Sequence, residues 1–175
     1  MKPILVGLDG SELAERGLVL AADLAEGLDA TVIAARVVPP PSPRSYDPDL
    51  LRRLEEAELK DAEAYLAKTA ERLREDRLSA QTRLLHGDPA RALVAAARQD
   101  GCSLIVVTSH GLGGLGSRVF GSVAQKVLAS APCPVIVLPC SEAELLTEEE
   151  SEELAADESM LGNIASVAKR SGATE

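Results

Sequence analysis

The sequence has almost no aromatic residues: no Trp, one Phe (Phe120) and two Tyr (Tyr46, Tyr65) in 175 residues. A core without large rings must be packed from Ala, Val, Leu and Ile, and an apolar fraction of 46% supplies them. That composition suits parallel strands covered on both faces by helices. Cysteine is scarce too. Cys102, Cys133 and Cys140 form no CxxC pair and lack the short spacing of zinc sites, so each reads as a small apolar residue. Their odd number, and a start that runs through Lys2-Pro3-Ile4 straight into a strand instead of a signal peptide, lead to the expectation of a reducing cytoplasm. No run of about eighteen apolar residues occurs, so no membrane span is expected. Excess positive charge is missing as well. Residues 1–140 hold 18 acids and 16 bases, and residues 141–175 hold ten acids and two bases. Without a basic surface, nucleic acid is not an expected partner.

What is present is a repeated alternation of apolar runs and helical patterns. Ile4 to Leu8 ends at the turn signal Asp9-Gly10-Ser11, where Ser11 is placed to cap a helix. Leu13, Gly17, Leu20, Ala21, Leu24 and Leu28 follow at helical spacing, closed by Gly27 or Asp29, and Ala30 to Val38 is a second strand. Four prolines between Pro39 and Pro43 impose an extended loop. A long helix is expected from about Asp49 to Arg77, with Leu51, Leu54, Leu59, Ala62, Leu66 and Leu73 as its apolar stripe. Ala80 to His86 alternates as an edge strand would. Asp88-Pro89 then signals a capped helix start, and the helix runs through Ala92, Leu93, Ala96 and Ala97 to Gly101. Leu104 to Val107 is the fourth strand, Ser122 to Ser130 the last helix and Pro134 to Leu138 the fifth strand. The order β-α-β-α-β-α-β-α-β predicts an open parallel sheet wrapped by helices on both faces, with right-handed crossovers.

Chemistry concentrates between the fourth strand and the last helix, in Thr108-Ser109-His110-Gly111-Leu112-Gly113-Gly114-Leu115-Gly116-Ser117-Arg118-Val119-Phe120-Gly121-Ser122. Glycine lets backbone amides approach a ligand, and a helix start favours an anion, so strand, glycine-rich loop and helix make a phosphate cradle. Gly111-x-Gly113-x-x-Gly116 matches the dinucleotide fingerprint by letter. It follows the fourth strand rather than the first, and the next acidic residue is Glu142, beyond the fifth strand. A Walker loop would need Gly-Lys-Ser or Gly-Lys-Thr, and neither occurs.

Gly111, nine residues and then Gly121-Ser122 resemble the nucleotide-binding signature of universal stress proteins. Ile4-Leu5-Val6-Gly7-Leu8-Asp9-Gly10-Ser11-Glu12, Gly87-Asp88-Pro89 and Ala131-Pro132-Cys133-Pro134-Val135 fit the same family in collinear order. The departure is Thr108, which stands where the family pattern has its first glycine. The resemblance implies an open five-stranded parallel sheet of order 3-2-1-4-5, of the adenine-nucleotide-alpha-hydrolase-like type. It implies ATP as the ligand, with AMP or ADP as alternatives and Mg²⁺ accompanying a triphosphate. It also implies site residues. Gly7, Leu8 and Asp9 would face Thr108 to Gly111, with Asp9 bordering the adenosine and the Val37 backbone meeting the adenine edge. Gly111, Gly121, Ser122 and the amides of Val123 and Ala124 would hold phosphates. In the family, final strands of two subunits pair, so a homodimer through Val135 to Leu138 is implied.

Each residue also has a plainer reading. Asp9 serves equally as an Asx-turn residue, Ser122 as a helix cap and Arg118 as a solvated charge. His86 and His110 lack the adjacent nucleophile and orienting partner that a catalytic base needs. No metal-carboxylate pair for activating water is identifiable, so at most weak ATP hydrolysis is expected. Residues 1–140 therefore read as one domain. Residues 141–175 read as an acidic extension, partly helical or disordered, that offers a surface to a protein partner. The functional expectation is an ATP-binding stress or signalling protein that senses nucleotide through its dimer. The alternative is a nucleotide-free interaction module of the same fold.

Overall fold

The computed structural model describes residues 2–40, 47–109 and 120–139. Among these described residues nine elements alternate strictly: β1 (Ile4–Leu8), α1 (Glu12–Leu28), β2 (Val32–Val38), α2 (Pro48–Glu75), β3 (Ala80–His86), α3 (Pro89–Gln99), β4 (Leu104–Thr108), α4 (Ser122–Ser130) and β5 (Val135–Leu138). All four strand pairings are parallel, and the sheet order is β3-β2-β1-β4-β5, as expected.

Side chains of a strand alternate between faces, which builds two cores. Ile4, Val6 and Leu8 of β1 point towards α1 and α2, where they meet Leu18, Ala21 and Leu73. Leu5 points the other way, to Leu93 and Ala97 of α3 and Val127 of α4. No described aromatic ring enters either set of buried core residues, so aliphatic side chains and alanines do the filling.

Local chemistry explains the helix boundaries. Ser11 caps α1, its Oγ accepting from the Ala14 amide at 3.1 Å, and Asp29 closes it in the left-handed region at φ 50°. Asp47 caps α2, ahead of Pro48 at the first helical position, and Asp88 caps α3 ahead of Pro89. Three expectations need correction. In α1 the buried stripe is Leu13, Ala14, Gly17, Leu18, Ala21 and Ala25, whereas Leu28 is exposed. In α2 only Ala62, Leu66 and Leu73 of the expected stripe are buried, and Leu54 is 53% exposed. The reason is length. A helix of 28 residues spans about 42 Å, whereas a seven-residue strand spans about 23 Å, so the first half of α2 outruns the sheet. Finally, α4 is capped by Gly121, not Ser122, which is its first helical residue.

Candidate functional site

In a doubly wound sheet, the place where chain direction across the sheet reverses leaves a crevice at the carboxyl ends of the strands. Here it lies between β1 and β4. Their pairing runs from Ile4–Leu104 to Val6–Val106 and stops. Beyond it, Leu8 stays paired to Arg36 of β2, and Thr108 stays paired to Leu138 of β5. The two central strands thus part, with Gly7 and Leu8 on one wall and Val107 and Thr108 on the other.

Gly7 closes the α3 side of that crevice. A Cβ at this position would stand 3.1 Å from Leu93 Cδ1 and 3.5 Å from Val107 Cγ1, so the glycine lets α3 pack tightly against the sheet. On the opposite face, the Thr108 methyl lies against α1 at Gly17, 3.5 Å from where a Cβ would stand there. The Thr108 side chain, which stands where the resemblance would have a glycine, is therefore turned towards α1.

The β1–α1 turn forms the rim. Asp9 Oδ1 accepts from the Ser11 amide at 3.0 Å and from Ser11 Oγ at 2.7 Å, which orders the residue that caps α1. This is the Asx-turn role. Gly10 sits at φ +89° in the left-handed region, where a side chain is strained. At the end of β2, β1 reaches only as far as Arg36, so Val37 is paired with β3 alone, through Leu85. The Val37 side chain packs on the α3–α4 core.

The other rim is the start of α4. The Gly121 amide donates to the Ser109 carbonyl at 2.6 Å, and the Ser109 amide donates to Leu138 O at 2.8 Å. Buried Ser109 thereby joins the end of β4, the end of β5 and the cap of α4. Sequence patterns had not singled it out, because its work is done by its backbone. The Gly121 amide is committed to this clasp. The following amides of Ser122, Val123 and Ala124 begin a helix that no side chain caps among the described residues, the arrangement that leaves N–H groups for an anion. Ala124 is buried and Val123 packs on the core, while Ser122 is exposed, so the turn is anchored on one side and open on the other. Lys126, one turn further on, reaches Asp88 Oδ2 at 3.1 Å and ties α4 to the start of α3. The Arg91 amide, and then Lys126, hold the Asp88 carboxyl below its usual range.

Of the expected site residues, Gly7, Leu8, Asp9, Val37, Thr108, Gly121, Ser122, Val123 and Ala124 lie at this carboxyl edge or just beyond it. Gly111, like His110, Gly113, Gly116, Arg118, Cys140 and the extension 141–175, lies outside the described residues. Among the described residues, no three His, Cys, Asp or Glu side chains stand together as a metal site would require. No helix among them is long and apolar enough to cross a membrane.

A five-stranded doubly wound sheet, open at its switch point against a glycine-capped helix, defines a parallel α/β protein. The chain belongs to the universal stress protein family, whose family model matches residues 1–139. A universal stress protein of Thermus aquaticus is 40% identical over 141 residues, covering 78% of this chain and 98% of its own. Among solved structures, a universal stress protein in complex with cAMP is 26% identical with a TM-score of 0.60, covering 80% of this chain and 98% of its own. The universal stress protein of Archaeoglobus fulgidus in complex with dAMP is 27% identical with a TM-score of 0.56, covering 78% of this chain and 97% of its own.

Proposed function

We propose that this protein binds an adenine nucleotide, ATP first among them, in the crevice between β1 and β4, and that occupancy sets a conformation read through a cytoplasmic homodimer. The observation that carries this reading is the parting of β1 and β4 beyond Val6–Val106, with the glycine-capped start of α4 on one rim and the Asp9 turn on the other. The complexes of family members with cAMP and dAMP support the same ligand class.

In this reading the amides of Ser122, Val123 and Ala124 take phosphate oxygens, and Gly111 and Gly121 let the phosphates approach. Asp9 borders the adenosine, and the open side of β2 at Val37 meets the adenine edge. With Thr108 turned onto α1, the ribose keeps its room. A Mg²⁺ brought by a triphosphate would be held mainly by the phosphates, because the described residues provide no carboxylate cluster. Gly121 and Ser109 join α4 to the ends of β4 and β5, so movement of the phosphate rim would reach β5, the strand proposed to pair across the dimer. A ligand shifts such an equilibrium only by its differential affinity for the two states. The acidic extension 141–175 is then a surface for a protein partner.

A second reading, a nucleotide-free interaction module, rests on Thr108 in place of a family glycine. Denaturing freshly purified protein and chromatographing what it releases separates the two. Stoichiometric adenine nucleotide supports the sensor. Its absence, together with no ATP binding by the apo protein, would sink it.

A further inference from the structure

The described part of the molecule holds one guanidinium whose surroundings suit a ligand better than the fold. Arg36 lies on β2 at the carboxyl end of the sheet, opposite Leu8, and is part-buried. Its Cζ stands 4.9 Å from the centre of the Tyr65 ring on α2. On its other side is the β1–α1 turn: a Cβ on Gly10 would lie 3.1 Å from Arg36 Nη1, 3.8 Å from Cζ and 3.9 Å from Nη2. The guanidinium is thus seated between an aromatic ring and a glycine.

The ring is itself fixed. Tyr65 OH donates to Glu15 Oε1, and Arg72 Nη1 donates to Glu15 Oε2 at 2.6 Å. The Glu15 carboxylate is therefore already shared by Tyr65 and Arg72. Among the described residues no carboxylate pairs with Arg36, and no carbonyl accepts from it. None of its nitrogens is both buried and unpaired, so the fork reaches solvent and is open to a ligand. Stacking does fix the plane of its fork of donors, which is what bidentate recognition of an oxyanion uses.

We propose that Arg36 is an oxyanion-binding residue at the β2 end of the crevice, taking a second phosphate on the side of the ligand away from α4. This inference rests on the nucleotide reading above. With one phosphate at the start of α4, a nucleotide lying across β1 carries its nucleoside end towards β2. There Arg36 would favour a ligand phosphorylated on the ribose as well as at its 5′ position, or a 5′-nucleotide bound beside a free phosphate.

The test compares affinities by calorimetry for 5′-AMP, adenosine 3′,5′-bisphosphate and its 2′,5′ isomer, and for 5′-AMP with and without saturating inorganic phosphate. Wild type, Arg36→Lys and Arg36→Leu are used after their folds have been verified by circular dichroism. For the wild type, one bisphosphate should bind at least about tenfold tighter than 5′-AMP, the size expected of a charge-assisted contact. That ratio should fall towards one in Arg36→Leu and be intermediate in Arg36→Lys. A gain that appears only with free phosphate, and is lost in Arg36→Leu, assigns the site to a free oxyanion. A wild-type ratio near one with no phosphate effect overturns the inference while leaving 5′-AMP binding intact. So does a gain that survives in Arg36→Leu, or an equal loss of all ligands in that variant, which would mark a structural role. Failure of the wild type to bind any adenine nucleotide overturns the nucleotide reading, and this inference with it.

Discussion

Single atoms decide several features of this site. Gly10 illustrates how two constraints can fall on one residue, since its φ of +89° disfavours any side chain and a Cβ would press on Arg36. Gly10→Ala should cost about 1–2 kcal/mol in urea unfolding; no change in midpoint would mean that the turn relaxes freely. The Cys102 thiol is buried in the α3 core, and burial, then the Asp100 carboxylate, push it up to about 11. In the unfolded chain it ionises near its ordinary value of about 8.5. The unfolded state therefore gives up the proton first, and Cys102 makes stability fall as pH rises from about 8.5 through 11. At pH 8 the native thiol should alkylate far more slowly than the denatured one, and equal rates would contradict its burial. Much at this scale was legible from residue types: the turn at Asp9-Gly10-Ser11, the cap at Asp88, the glycine before α4. Ser109 was not, because backbone hydrogen bonds to Leu138 and Gly121 leave no mark on a side-chain pattern. Arg36 was visible as a charge inside an apolar run, but its meaning depends on Tyr65, far along the chain.

At the scale of elements, periodicity gave the order of strands and helices, while burial depended on what each helix has beneath it. The long stripe of α2 shows the difference. Leu66 is 4% exposed and Leu54 53% exposed, although both fit the same apolar spacing. Leu66→Ala should therefore cost about 2–5 kcal/mol, whereas Leu54→Ala should stay within about 0.5 kcal/mol. Similar losses at both positions would mean that the first half of α2 is covered in solution. For α1, Ser11→Ala removes both the cap on the Ala14 amide and the hydroxyl held by Asp9, so a loss of about 1 kcal/mol is expected. The mispositioned end of the α1 stripe has a physical cause too. Leu28 continues the helical spacing, but it stands on the last turn, where it is 58% exposed.

For the molecule as a whole, the proposed ligand crevice and the proposed dimer edge both rest on the sheet. β5 is an edge strand of four part-exposed apolar residues, Val135 to Leu138, and such an edge invites pairing. Sedimentation at micromolar concentration should give a dimer, and a monomer would remove β5 from the proposed signalling path. The strand order was legible as a family resemblance, and the sheet bears it out. The same resemblance put Gly7, Leu8 and Asp9 opposite Thr108, but the point where β1 and β4 cease to pair, after Val6 and Val106, was not legible, because it is a property of two distant segments together. The most direct test of the central claim is a calorimetric titration of the apo protein with ATP, run beside Gly121→Val. Micromolar, one-to-one binding by the wild type, lost in the variant while its circular dichroism is unchanged, is the predicted result. No binding by the wild type, or equal binding by Gly121→Val, would contradict the account.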